Sequence, residues 1–258
     1  MDLRPIGMFD SGVGGLTVYK EVKKALPNEK FIYIGDTKGF PYGSKTKEAI
    51  IDLSKKCIDV LIKKNVKAVI IACGTATSQA LEEMKKIYEI PIIGIIEPTV
   101  LYVKKNNFKN IGVMATRGTI RSNSWARNLK KEIEDINVYN QECPLLAPMA
   151  EEGWTENEIA RLTVKEYLKN FNNIDSLILG CTHYPLYENI IKENLPNIEI
   201  INTGKIVANY MKEIYEYDDE NMEIKTKDEF YLTDIECNFI DVAEKILKEK
   251  IKINHLTI

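Results

Sequence analysis

The sequence has no apolar run near the roughly 18 residues that a bilayer-spanning helix requires, and its start, MDLRPIGMFD, carries no apolar stretch behind a basic segment. Neither a membrane partner nor a secretory signal is therefore expected, and the cytoplasm is the expected compartment. A basic surplus is also missing: 35 Lys and Arg against 38 Asp and Glu leave a net charge of -3. That is not the footprint of nucleic-acid binding, so no nucleic-acid partner is expected. Histidine is scarce, with only His183 and His255, which argues against a histidine-rich metal site. The five cysteines (Cys57, Cys73, Cys143, Cys181 and Cys237) include no CxxC pair, which removes the zinc-ribbon and thioredoxin-like readings. Without a secretion signal they fit a reducing compartment. DSGVGG (10–15) lacks the spacing of GxGxxG, and no GK[ST] follows it, so it is weak as a nucleotide signal. A small anion at the N-terminus of the following helix is the better reading.

What is present is 258 residues with 45% hydrophobic and 28% charged content, ordinary for one large or two smaller globular domains. Short β-like runs alternate with helical patterns. RPIGMFD (4–10), FIYIGD (31–36), KAVIIAC (67–73) and IPIIGII (90–96) read as strands. LTVYKEVKKAL, residues 47–65 and TSQALEEMKKIY read as helices. The alternation predicts an α/β fold with mainly parallel strands and helices on both faces. Ligands in such sheets bind at the carboxyl ends of strands, which is where Cys73 falls.

The scheme then repeats. Ile6-Gly7 recurs as Ile111-Gly112, Ile32-Tyr33 loosely as Val138-Tyr139, and IIACGT as LILGCT, at offsets of 105, 106 and 108 residues by subtraction. Slowly growing offsets are what insertions in a duplicated domain produce. We expect two similar lobes related by a pseudo-two-fold axis. The first comprises residues 1–97 with a tail, 207–258, packed back on it; the second is 98–206.

Such an axis sets Cys73 and Cys181 on opposite sides of one cleft. A hydrolytic nucleophile needs one thiol and a base. Two opposed thiols suit removal of a proton from one face of a carbon and delivery to the other, which inverts a stereocentre without a cofactor. Each cysteine precedes a helical pattern, whose N-terminal dipole favours a thiolate. Thr75, Thr77 and Thr182 offer hydroxyls and amides for a carboxylate, and PYGS (41–44) can present amides to the same cleft. His183 is either a partner of Cys181 or a polar helix-start residue. Asp10 either assists Cys73 or caps the helix that follows. Cys57 reads as core, and Cys143 and Cys237 carry no partner signal.

FDSGVGGLTV, GDT with PYG after it, IACGTATS, CPLLAPMAEEG and LILGCTHYPL occur in one order. Together they resemble the cofactor-independent aspartate/glutamate racemase family, and within it the glutamate racemases, over residues 5–208 and more thinly to the end. The resemblance implies two α/β lobes with substrate between them, interconversion of L- and D-glutamate for peptidoglycan, no cofactor and no metal. Carried over, Cys73 and Cys181 are the two bases, Asp10 supports Cys73, His183 supports Cys181, and Glu151 is a further carboxylate near the second thiol. Ser11, Pro41, Tyr42, Gly43, Gly74, Thr75 and Thr182 fall among substrate-holding positions, with Asp36 and Thr119 as further candidates. Family members are often dimers, so a homodimer is an expected assembly.

Gly74 departs from the pattern, because the family usually has asparagine there. Water or another group must then replace an amide contact, and the choice between glutamate and aspartate is where this departure acts. The first motif begins at residue 6, so activation by a peptidoglycan precursor, tied to an N-terminal extension in some members, is not expected. Two rivals stand beside the racemase: a cysteine hydrolase or lyase using Cys181 and His183, and a hinged binding protein for a dicarboxylate.

Overall fold

The apolar runs pair into two parallel sheets, because each is flanked by amphipathic helices that cover both of its faces. The computed structural model describes residues 2–215, 227–235 and 237–258. Most of the polar stretch 218–228 and the side chain of Cys237 lie outside the described residues.

The chain runs through β1 (Ile6–Asp10), α1 (Leu16–Ala25), β2 (Phe31–Gly35), α2 (Lys47–Lys63), β3 (Ala68–Ile71), α3 (Gly74–Ile87), β4 (Ile92–Gly94) and α4 (Ile96–Lys105). It continues through β5 (Asn110–Ala115), α5 (Arg117–Arg121), α6 (Ser124–Glu132), β6 (Asn137–Glu142), α7 (Leu146–Glu151), α8 (Glu158–Leu168), β7 (Ser176–Leu179), α9 (Glu188–Asn194) and β8 (Glu199–Asn202). It closes with α10 (Thr203–Tyr215), β9 (Glu229–Leu232), α11 (Cys237–Leu247) and β10 (Ile253–His255). The sheet orders are β10-β9-β2-β1-β3-β4 and β6-β5-β7-β8.

Strand register makes the duplication concrete. Ile6 pairs with Phe31 and Ala68, and Ile111 pairs with Val138 and Ser176. Val69 pairs with Ile92 and Leu177 with Ile200. The counterpart of Val138 is therefore Phe31 rather than Ile32, a one-residue correction to the loosest of the three sequence matches. Among the elements that escaped the sequence reading are α4, α7 and β8. Helix α4 begins inside the run expected to be all strand, so β4 is only three residues long. Strand β8 is a short apolar run between polar neighbours.

The lobes share an apolar core. Ile6 and Met8 of β1, Val18 and Val22 of α1, Val100 of α4, Ile111 and Val113 of β5, Trp125 of α6, and Val207 and Met211 of α10 belong to one buried cluster. Separate clusters fill the outer faces, under α2 and α3 on one sheet and under α7 to α9 on the other. Cys57 and Cys143 are buried in these outer clusters. Among the described residues no helix is long and apolar enough to cross a membrane.

The tail joins the first sheet through β9, which pairs with β2. Asp228 anchors this junction: its carboxylate accepts from Phe31 N at 2.8 Å and Tyr19 Oη at 2.6 Å, and pairs with Lys23 Nζ at 3.0 Å. We expect Asp228→Ala to cost about 3 kcal/mol in urea unfolding, because it strands a strand-end amide and a buried phenol. Asp228→Asn should recover part of that loss.

Candidate active site

Asp10 and Cys73 lie at the carboxyl ends of adjacent strands, and Cys181 lies two residues past β7. The strand ends of the two sheets face one narrow cavity. Its walls are Ser11, Phe40 to Gly43, Cys73, Gly74, Thr75, Thr116, Ala147, Cys181, Thr182 and His183. Both thiols therefore meet one space from opposite lobes. The cavity volume is about 20 Å³.

Cys73 caps α3: its sulfur accepts from Ala76 N at 3.5 Å and lies 3.5 Å from Ser11 Oγ. Burial and the nearby Asp10 carboxylate push its thiol up to about 12, against the pull of those two hydrogen bonds. Asp10 itself is fully buried. Its two oxygens accept from Gly12 N at 3.0 Å and, across the cleft, from Thr182 Oγ1 at 3.2 Å. Burial pushes its carboxyl up to about 6, partly offset by His183.

The second thiol has a different setting. Cys181 Sγ lies 3.6 Å from His183 Nδ1, and His183 Nε2 lies 2.6 Å from Glu151 Oε1. Burial opposes charge on the imidazole, but Glu151 and Cys181 together hold His183 well above its ordinary value. The expected long helix does not follow Cys181 directly. A 3-10 turn over Tyr184–Tyr187 comes first, and α9 starts only at Glu188. The imidazole therefore stands where the first half has a helix dipole.

DSGVGG proves to be the seat of this pair. Val13 N donates to Glu151 Oε1 at 3.2 Å, so the anion at this turn is a carboxylate from the other lobe. A Cβ at Gly12 would lie 2.4 Å from Glu151 Oε1, and one at Gly14 would lie 2.5 Å from the His183 ring. The glycines are required by this close approach, not by a phosphate.

Gly74 has a comparable reason. A Cβ there would lie 2.1 Å from the backbone oxygen of Gly180, so backbone meets backbone between the residue after one thiol and the residue before the other. In this arrangement no side chain fits at position 74.

Some candidates stand back from the cavity. Asp36 accepts from Tyr42 Oη at 2.7 Å and Thr233 Oγ1 at 2.8 Å, and so braces the PYG turn rather than facing the cavity. Thr77 turns its hydroxyl to Ile71 O at 3.0 Å, away from the expected carboxylate cradle. Thr119 is fully buried behind Thr116, and Asp10 and Glu151 act from behind Thr182 and His183. Thr116 escaped the sequence reading. Its hydroxyl lies 2.8 Å from Thr75 Oγ1 and 2.9 Å from Thr119 Oγ1, linking the lobes. The repeat held the signal, since Thr116 stands to Ile111 as Ser11 stands to Ile6. Among the described residues no group of His, Cys, Asp or Glu could hold a metal ion.

Residues 6–211 match the family model described as Asp/Glu/Hydantoin racemase. The glutamate racemase of Sulfurihydrogenibium sp. is 43% identical over 254 residues, covering 96% of this chain and 95% of that protein. That of Persephonella marina is 40% identical over 256 residues, covering 97% and 96%. The crystal structure of glutamate racemase from Francisella tularensis subsp. tularensis in complex with D-glutamate matches with a TM-score of 0.93 at 36% identity, covering 100% and 98%. The chain belongs to the Asp/Glu/hydantoin racemase family.

Two outcomes follow from the site's geometry. A carboxyl raised from 3.8 to about 6 on folding holds its proton longer in the folded state, so its contribution to stability is lost as pH rises through that window. Relative to the parent, Asp10→Asn should therefore gain about 3 kcal/mol in urea unfolding between pH 4 and pH 7; a pH-independent difference would contradict the buried-acid assignment. Gly74→Ala should hold the two lobes apart, and iodoacetamide should then modify Cys73 and Cys181 several-fold faster.

Proposed function

We propose that this member of the racemase family interconverts L- and D-glutamate by a two-base mechanism in which Cys73 and Cys181 work on opposite faces of Cα. The observation that carries the reading is the convergence of both thiols on one cavity, each with its own proton partner. One thiol, as thiolate, removes the α-proton while the other delivers its proton to the opposite face. The enzyme leaves turnover with the two protonation states exchanged, ready for the reverse reaction. No cofactor enters this balance.

The α-proton is weakly acidic, so the carbanion needs stabilisation. Hydroxyls of Ser11, Thr75, Thr116 and Thr182 supply donors for carboxylates, and a dry cavity strengthens them. Cys73 is held at about 12 without ligand; a substrate ammonium beside it favours the thiolate. Asp10 acts on Cys73 through this charge balance, and His183, held by Glu151, carries protons to and from Cys181. The remaining candidates shape the pocket: Pro41, Tyr42 and Gly43 form one wall with Asp36 bracing it, Gly74 contributes backbone, and Thr119 orients Thr116. A volume of about 20 Å³ admits roughly one water, so an amino acid enters only when the lobes part.

On the same reading the lobes are 1–97 with 207–258, and 98–206. The D-enantiomer feeds peptidoglycan synthesis in the cytoplasm, and the enzyme assembles as a homodimer. The test uses deuterated water with no added cofactor. Either enantiomer should acquire deuterium at Cα. Cys73→Ala and Cys181→Ala should each lower racemisation by roughly 10²–10⁴-fold, while one enantiomer still exchanges its α-proton without inversion. Full racemisation by either variant would sink the two-base assignment, and faster conversion of L-aspartate than of L-glutamate would overturn the substrate assignment.

A further inference from the structure

The cavity between the thiols contains no lysine or arginine, and its one cationic side chain, His183, is already paired with Glu151. A ligand with two carboxylates and one ammonium carries net negative charge to a wall with no unpaired cation, which is costly unless cations stand close by. A groove of about 370 Å³ lies on the far side of Gly43, and Lys45, Gln79, Arg117 and Arg121 line it. Gly43 borders both spaces, and Thr116 of the cavity wall is the chain neighbour of Arg117. The partition is thin: a Cβ at Gly43 would lie 2.7 Å from Thr116 Cβ, and one at Gly118 would lie 3.0 Å from Gly43 O.

The groove's own lining holds no acidic side chain. Behind it, Glu142 takes Nε of Arg117 at 3.2 Å and Nε of Arg121 at 3.0 Å. One carboxylate thus serves two guanidiniums through their Nε atoms. Lys45 has no carboxylate partner among the described residues. Three cations against one anion leave a local excess of positive charge beside the cavity. The groove also straddles the lobes. Lys45 and Gln79 come from the first sheet's side and Arg117 and Arg121 from the second's, and Gln79 Nε2 closes the seam on Gly118 O at 3.2 Å.

We propose that this groove is an outer carboxylate-docking subsite. It receives a carboxylate of the incoming amino acid while the lobes are apart. After closure its cations offset, across the Gly43–Thr116 wall, the charge of the carboxylate held at the Thr75 and Thr116 hydroxyls. The identity of the amino acid rests on the racemase reading; the preference of the groove for a carboxylate rests on its own charges.

The test compares the parent with Lys45→Glu and Lys45→Gln at low and high ionic strength, using D- and L-glutamate racemisation and, separately, calorimetric binding of glutamate. At low salt, Lys45→Glu should raise KM for both enantiomers about five-fold, with kcat within two-fold and unchanged thermal stability. Lys45→Gln should move KM the same way by less. Added salt should raise the parent's KM and leave that of Lys45→Glu nearly flat. An unchanged KM, or a loss confined to kcat, overturns the subsite. If the parent binds glutamate without racemising it, the racemase reading fails, while weaker calorimetric binding by Lys45→Glu still supports the subsite and equal binding still overturns it.

Discussion

The carboxylate of Glu151, buried against a glycine loop that belongs to the other sheet, is the constraint on which the site depends. Its Oε1 is shared by His183 Nε2 and Val13 N, so one oxygen ties together α7, the turn after Cys181 and the loop after β1. A buried ion pair is costly to desolvate and is favoured only where its hydrogen bonds are well made. Here Oε2 has no hydrogen-bond partner among the described residues, so the pair is not optimised for stability. It holds the imidazole ring against the second thiol. The cost is accepted in the backbone too, because Gly12 and Gly14 must stay bare for the two side chains to approach.

The two halves of the cavity stand on equivalent strand ends and differ in chemistry. The register that equates Ala68 with Ser176 also equates Cys73 with Cys181, Gly74 with Thr182 and Thr75 with His183. The register that equates Ile6 with Ile111 sets Asp10 against Ala115 and Ser11 against Thr116. The first thiol therefore has a carboxylate and a hydroxyl for company, and the second has an imidazole backed by a carboxylate from a separate helix. A negative neighbour discourages the thiolate at Cys73, while a charged imidazole beside Cys181 can donate a proton to sulfur and, once neutral, take one back. A two-base reaction needs one thiol protonated and the other not at each moment. On the proposed two-base reading, equivalent strand ends thus give the two thiols unequal settings.

Much of this was legible in the sequence because parallel strands buried on both faces read as continuous apolar runs, and their ends punctuate as polar turns. The repeat converted two isolated cysteines into a facing pair. What the sequence hid was contact across the lobes. DSGVGG looked like an anion turn, and nothing local says that the anion is Glu151, 138 residues away. Gly74 looked like the loss of a side-chain contact, whereas the structure sets a carbonyl where that side chain would begin. Asp36 and Thr77 are polar residues close to the motifs, and only the direction of their hydrogen bonds shows that they brace the scaffold. Helix α4 was missed because it begins inside an apolar run, where strand and buried helix have no distinguishing period.

Access to the cavity follows from how unevenly the lobes are joined. Near the thiols the joints are polar contacts: Thr75 to Thr116, Gln79 to Gly118, Thr182 to Asp10, Thr17 to Thr182 O and Val13 N to Glu151. The neutral ones are each worth about 1 kcal/mol net and can be exchanged for water. Away from the thiols the joint is the shared apolar core, where α4 packs on α10. Exposing that surface costs far more per residue than parting a hydroxyl pair. On the proposed reading, parting the lobes on the polar side is the cheaper opening, and it would break the hydroxyl link, lift Gly180 from Gly74 and part the two walls of the cavity together.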